Sequence, residues 1–270
     1  MRLGDWLGHA SARLGDAGIA SAALEAQVLA AHVLDVDRSW VLAHPEAEAP
    51  LSSLDALLNR RLTHEPLAYI LGWREFYGRR FVVRPGILVP RQETEVLVEA
   101  ALARLSPGAR VLDIGVGSGA IGITIALERP DCNVFGTDVS QVALETAREN
   151  AGLLHANVCT MEADLFPPGE PPFEVIVSNP PYVADGDEVG PDVRHEPALA
   201  LFAGQDGLDV YRRLATETPG RLVEGGHLLL EVGAGQAESV RQVFAESGWV
   251  FLEGRQDMAG HERILAFTRD

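Results

Sequence analysis

Arg110-Val-Leu-Asp113-Ile-Gly115-Val-Gly117-Ser-Gly119-Ala-Ile-Gly122 is the stretch on which the fold turns. Its first residues, Arg110–Ile114, read as a short strand. The run from Gly119 to Glu128 reads as a helix that stops before Pro130. Between them, glycines let the chain turn sharply and let its backbone approach a ligand closely. A second strand, Asn133–Asp138, ends on a carboxylate 25 residues beyond Asp113. A carboxylate there can accept hydrogen bonds from both hydroxyls of a ribose. An adenosine-containing cofactor is therefore implied. Gly117, Gly119 and Gly122 also satisfy the spacing by which dehydrogenases hold a pyrophosphate at a helix N-terminus. S-adenosylmethionine has no phosphate, and its ammonium group wants an acid. Asp113, two positions before Gly115, is in the place for one.

Outward from this turn the chain alternates. A helix is expected over Glu93–Arg104, and Ser140 caps another that runs to about Asn150. Strands are expected near Val158–Glu162, at Glu174–Ser178 and at His227–Val232, with helices over 207–216 and 236–246. Alternating strands and helices argue for a mostly parallel sheet covered on both faces. Trp249–Glu253 and Arg263–Thr268 have only a loop between them, so they should pair antiparallel. The fold class is α/β, Rossmann-like, with a seven-stranded mixed sheet.

Residues 1–72 differ in kind. Ser21 can cap a helix over Ala22–Leu34, and Asp37 a shorter one holding Trp40 and Val41. Ser52 or Ser53 precedes Leu54, Leu57, Leu58 and Leu62, an amphipathic helical spacing. A small N-terminal helical bundle is expected. Residues 73–91 then read as a β-hairpin linker, with Phe76, Phe81-Val82-Val83 and Ile87-Leu88-Val89 as short strand-like runs separated by Gly78 and by Pro85-Gly86, the latter a strong turn signal. Residues 92–270 form the α/β domain.

Asn179-Pro180-Pro181-Tyr182 follows the apolar strand Val175-Ile-Val-Ser178, at the sheet edge where ligands of open α/β sheets bind. Two prolines fix φ and remove two N–H donors, which stiffens the corner. An amide or ring-amine nitrogen is a poor nucleophile because its lone pair is delocalised. The Asn179 and Pro180 carbonyls can hold its two N–H bonds, orient the lone pair and stabilise the positive charge that grows on nitrogen. Tyr182 can stack on a flat substrate group. Asn179, Pro180 and Tyr182 are the candidate catalytic residues, with Pro181 completing the substrate pocket.

Composition narrows the field. Apolar residues make up 47% of the 270, enough for a sizeable core. No apolar run is long enough to cross a bilayer, and Asp5 interrupts the place where a secretion signal needs an apolar stretch. A cytoplasmic protein without membrane partners is expected. All 22 basic residues are arginine, so mechanisms built on a lysine are excluded. Net charge is −17, yet residues 76–91 carry Arg79, Arg80, Arg84 and Arg91 and no acid. That segment is either a solvated hairpin surface or a docking surface for a partner. Cys132 and Cys159 read as reduced thiols, and no metal site is expected.

The tetrad with the upstream glycine turn resembles amino-methyltransferases that use S-adenosylmethionine. Gly72-Trp-Arg-Glu-Phe76, Leu88-Val-Pro-Arg-Gln-Glu-Thr-Glu95, Val193-Arg194-His-Glu196-Pro197, Gly204-x-x-Gly207-Leu208 and Tyr211 make the chain most similar to the release factor glutamine methyltransferases. The resemblance implies a class I methyltransferase domain. It also implies transfer of methyl from S-adenosylmethionine to the side-chain nitrogen of the glutamine in the Gly-Gly-Gln loop of peptide chain release factors, with the bundle and hairpin docking that protein. It places the cofactor on Asp113, Gly115, Val116, Gly117, Ser118, Gly119, Asp138 and Asn179. Asp164 falls where the family contacts the adenine amino group, and Leu165 against the ring. Some members have tryptophan at the latter place, so stacking is weaker here or comes from Phe166. Gln92 stands where an acid is frequent. Arg194 and Glu196 are expected to brace the tetrad by an ion pair or to reach the substrate.

The alternatives are a nucleic-acid adenine or cytosine amino-methyltransferase, a dehydrogenase, and a non-catalytic binding module. A base amino group poses the same chemical problem as an amide. Against the first stand the acidity of the catalytic half and the lack of a target-recognition region long enough to flip a base. A dehydrogenase leaves the tetrad unexplained, and the completeness of the site residues argues against a module.

Overall fold

The computed structural model describes residues 1–269, which form two compact units. The first comprises Met1–Trp73 and Val189–His195, and the second holds the rest.

In the first unit, α1 (Leu3–Asp16), α2 (Ala22–Leu34), α3 (Arg38–Ala43), α4 (Leu51–Leu62) and α5 (Leu67–Leu71) enclose their own core. Leu3, Trp6, Leu14, Leu29, Leu54 and Leu58 are fully buried in it. Each such leucine contributes about 1.5–3 kcal/mol by leaving water. Asp37 caps α3 as expected, its Oδ1 accepting from Trp40 N at 2.6 Å. Ser21 precedes α2, but its hydroxyl bonds the Glu25 carboxylate instead of the backbone. Ser52 and Ser53 lie inside the first turn of α4, because Pro50 already starts that helix. The buried Arg61 guanidinium bonds Glu25 at 2.5 Å and Asp192 at 2.7 Å, and His64 Nδ1 lies 3.0 Å from Asp192 Oδ1. These charges fasten the distant segment Val189–His195 to the bundle.

A hairpin follows, β1 (Trp73–Phe76) and β2 (Arg79–Val82), which belongs to the second unit from Arg74 onward. Its turn is Tyr77-Gly78, both with positive φ, as a two-residue hairpin turn requires. The expected turn at Pro85-Gly86 does not join strands. Residues 83–91 run irregularly, because the Val89 N–H bonds the Glu196 side chain (3.1 Å) and not a neighbouring strand. Asn150 acts as a substitute strand partner for β2: its Oδ1 accepts from Val82 N at 2.7 Å and its Nδ2 donates to Val82 O at 3.0 Å.

A short 3₁₀ turn, Gln92–Thr94, leads into α6 (Glu95–Leu102). Then follow β3 (Arg110–Ile114), α7 (Ala120–Glu128), β4 (Asn133–Asp138), α8 (Gln141–Leu154), β5 (Val158–Glu162) and β6 (Phe173–Ser178). The chain closes with α9 (Asp209–Glu217), β7 (Leu222–Glu231), α10 (Ala237–Glu246), β8 (Val250–Gln256) and β9 (Glu262–Thr268). Ser140 caps α8 by accepting from Ala143 N. The seven strands lie in the order β5-β4-β3-β6-β7-β9-β8. All neighbours are parallel except around β9, which runs antiparallel to both β7 and β8. Val111, Val175 and Val177 face one core, and Leu112 and Ile176 face the other, as alternation along a doubly covered strand demands. The strand order reverses between β4 and β6 on either side of β3. Beyond the carboxyl ends of those strands lies the natural place for a ligand. Among the described residues, no helix is long and apolar enough to cross a membrane.

Candidate active site

A cleft of about 260 Å³ opens at that strand edge. Its floor is the turn after β3. Gly115, Gly117 and Gly119 all have positive φ. A side chain at Gly119 would fall 2.5 Å from Ile123 Cδ1, so glycine is required there for packing as well as for conformation. Gly115 N and Val116 N both donate to Thr137 O, which ties the turn to β4. Asp138 stands at the end of β4, one carboxylate oxygen accepting from Gly117 N at 3.0 Å and the other from Ser140 N at 2.9 Å. Each oxygen keeps a lone pair for a further donor. That pair of acceptors suits a vicinal diol such as a ribose edge.

Asp113 does not line this cleft. It is fully buried behind the turn, where its Oδ2 accepts from Gly122 N at 2.9 Å at the start of α7, and its Oδ1 has no partner. Burial pushes its carboxyl up to about 7, with the Gly122 bond opposing and Asp138 adding to the rise. It acts on the helix start and not directly on a ligand ammonium.

Asp164 lies at the mouth, exposed and paired with Arg213 at 2.9 Å. Leu165 lines the wall with a φ of +69°, its carbonyl held by Thr137 Oγ1 at 2.7 Å. Phe166 packs in the core with Arg221 over its ring, so of the two it is Leu165 that lines the cleft. Gln92 is exposed and outside the cleft.

On the opposite wall, Asn179, Pro180 and Pro181 line the cleft together with Ser178, whose hydroxyl is anchored on Ile114 O at 2.8 Å. The Asn179 Nδ2 lies 3.5 Å from Thr94 Oγ1. The Asn179 Oδ1 is buried and has no hydrogen-bond partner. A buried carbonyl oxygen left unsatisfied costs stability unless a ligand donor completes it. Tyr182 departs from expectation, because its ring packs against Gly233 and the second core and does not line the cleft. Its backbone is consumed as well: its N–H donates to Leu201 O and its carbonyl accepts from Gln236 Nε2. Tyr182 therefore stiffens the loop through its backbone, and its ring lies outside the cleft lining.

Residues 86–91 supply a third wall, to which the sequence motifs gave no role. Glu196 holds it. Its buried carboxylate accepts from Val89 N at 3.1 Å and pairs with Arg91 at 2.6 Å. Glu196 forms an ion pair, but with Arg91, and it holds residues 86–91 and not the tetrad. Arg194 is exposed and donates to Val189 O instead. The basic stretch is largely neutralised within the chain, since Arg79 pairs with Glu128 and Arg84 with Glu149. Thr94 and Glu231 also escaped the sequence reading. Glu231 did leave a trace, as the one acid within the apolar run Leu228–Val232.

Comparison with known proteins supplies the remaining facts. Residues 5–72 match the family profile described as the PrmC N-terminal domain, and residues 91–196 match the methyltransferase small domain. The chain is 48% identical over 249 residues to the release factor glutamine methyltransferase of Neisseria gonorrhoeae, covering 89% of this chain and 91% of that one. It is 44% identical over 250 residues to the release factor glutamine methyltransferase of Bordetella pertussis, covering 89% and 93%. Among solved structures, a methyltransferase from Pyrococcus furiosus aligns with a TM-score of 0.55 at 21% identity, over 71% of this chain and 89% of that one. At that identity the likeness bears on the fold alone.

Proposed function

The chain belongs to the release factor glutamine methyltransferase family, and on that premise we propose the residues by which its cleft methylates the glutamine side-chain nitrogen in the Gly-Gly-Gln loop of peptide chain release factors. S-adenosylmethionine, when bound, supplies a methyl group on a sulfonium centre that a neutral nitrogen can attack. The glycine turn with Asp138 holds the nucleoside part, and Leu165 covers the base. Asp164, carried over from the family pattern, would accept from the adenine amino group.

The observation that carries the reading is the orphaned Asn179 Oδ1 on the cleft wall. It is an acceptor in want of an N–H donor, and a primary amide brings two. The Asn179 oxygen takes one, and the Pro180 carbonyl takes the other. Held so, the amide nitrogen presents its lone pair, and both oxygens stabilise the charge that develops on it. The nitrogen gains a methyl group and then releases one proton, which is acidic by that stage, so the site needs no strong base. The docking of the protein substrate is assigned to the N-terminal helical unit.

A base amino group would satisfy the same acceptor. The net charge of −17 disfavours a polyanion partner. Incubation with labelled S-adenosylmethionine separates the two readings. Label should enter a purified release factor and should be absent from duplex DNA and ribosomal RNA. Label confined to nucleic acid would reject the proposal.

A further inference from the structure

Leu199 lines the cleft and is nevertheless 64% exposed. Among the described residues, one other large apolar side chain left exposed also lines it, Val139, which follows Asp138 on the side of the glycine turn. Leu199 belongs with the opposite wall. It sits in the short 3₁₀ turn Ala198–Ala200, on the segment tied to the tetrad loop. Resting on the function proposed above, we propose that Leu199 is a substrate-binding residue, packing on the methylenes of the target glutamine and on the glycine backbone before it as the release factor loop enters the cleft.

Hydrogen bonds fix the turn that displays this side chain. After it, the Leu201 carbonyl accepts from Tyr182 N at 3.1 Å and from Val183 N at 2.8 Å, and Ala203 N donates to Val183 O at 2.9 Å. Before it, the buried Glu196 carboxylate is taken up by Val89 N and Arg91 of the third wall. Within it, Ala200 N donates to Pro197 O and Phe202 N to Ala198 O, both at 2.9 Å. The neighbouring Leu201 is buried, and Leu199 reaches water. The backbone is held on both sides while an apolar side chain stays uncovered. Burial of that side chain would be favourable, and the fold does not take it. A ligand in the cleft can.

A glutamine brings the matching surface. Its amide must reach the Asn179 oxygen, and the methylenes between amide and backbone then lie toward the mouth. The glycines before it have no side chain, so an apolar neighbour can close on their backbone. The cofactor is the poorer occupant, because its nucleoside is assigned to the glycine turn, Asp138 and Leu165.

The test uses the full-length protein with S-adenosylmethionine and a purified release factor. Leu199→Ala should raise the release-factor KM about tenfold, the scale of losing most of a leucine's apolar contact. Its kcat should stay within about twofold of the parent's, as for an interaction made equally in ground and transition states. The Kd of S-adenosylhomocysteine should not move. Leu199→Met keeps the apolar volume and should return KM to within about twofold. Leu252→Ala removes an equally apolar, exposed side chain on the outermost strand, β8, and should leave KM unchanged. A parent-like KM in Leu199→Ala overturns the proposal, and so does a loss that falls on the cofactor Kd instead. A readout without turnover stands beside these. The thiol introduced by Leu199→Cys should be shielded from alkylation by the release factor together with S-adenosylhomocysteine, and not by S-adenosylhomocysteine alone. Cys159, exposed on β5 and outside the cleft lining, is the reference and should react at one rate throughout. A thiol that the release factor leaves unshielded overturns the proposal. A shielded thiol in a protein that transfers no methyl group to the release factor upholds the contact and rejects the reaction.

Discussion

Asn179 Oδ1 and Asp113 Oδ1 are both buried oxygens without a partner, and their surroundings give them opposite roles. The first lies on the cleft wall, where a ligand donor can complete it. Asn179→Ala removes a preorganised acceptor and should lower turnover about 10²-fold or more, the scale of losing one oxyanion-hole-type partner. Cofactor affinity by calorimetry should fall far less than turnover, and surviving turnover would contradict the assignment. Asp113 sits behind the glycine turn, where burial raises its carboxyl to about 7. An acid raised in the folded state lends stability that is complete below its unfolded value of about 4 and is lost as pH rises through about 7. Asp113→Asn keeps an oxygen for Gly122 N and does not titrate. Its melting temperature relative to the parent should therefore climb between pH 5 and pH 8, and a constant difference would be contrary. Sequence position marked Asp113 as important. It could not show that the backbone turns the carboxylate inward, because that depends on how α7 packs over β3.

At the scale of elements, the strands and helices of the α/β unit follow from local pattern, and the expected strand runs fall on the observed ones. What local pattern does not hold is the pairing of distant groups. Pro85-Gly86 looked like the hairpin turn, yet Tyr77-Gly78 makes it, because Glu196 claims the Val89 N–H that a further strand would have used. Glu196 thereby fixes the segment 86–91 as a cleft wall. Glu196→Ala would leave Val89 N unpaired and Arg91 without its ion pair. Cofactor affinity should weaken about tenfold or more, as expected for lost hydrogen bonds to a charged group. Amide exchange at Val89 should also accelerate. A dissociation constant equal to the parent's would show that the wall holds without this brace. Tyr182 teaches the same lesson. Its place in the tetrad gave it a stacking role, and the packing of its ring on Gly233 gives it a structural one.

At the scale of the whole molecule, composition fixed less than the order of the strands. The switch of strand order around β3 brings the glycine turn, Asp138 and the tetrad to one edge, although Gly115 and Asn179 are far apart in the chain. The sequence shows the two motifs, and the parallel sheet makes them one site. The segment Val189–His195 belongs with the helical unit through Arg61 and Asp192, which no periodicity announces. The family assignment sets the substrate to be tested. Changing the glutamine of the release factor's Gly-Gly-Gln loop to glutamate should abolish labelling while leaving cofactor binding intact. Label that persists on the altered protein would mean that another residue is the acceptor.

The most direct test is a crystal structure of the protein with S-adenosylhomocysteine and a Gly-Gly-Gln peptide. The glutamine side-chain nitrogen should lie within hydrogen-bonding distance of Asn179 Oδ1 and of the Pro180 carbonyl oxygen. A side-chain nitrogen found away from that corner, or an Asn179 that presents its NH₂ group to the peptide, would contradict the proposed chemistry of the site.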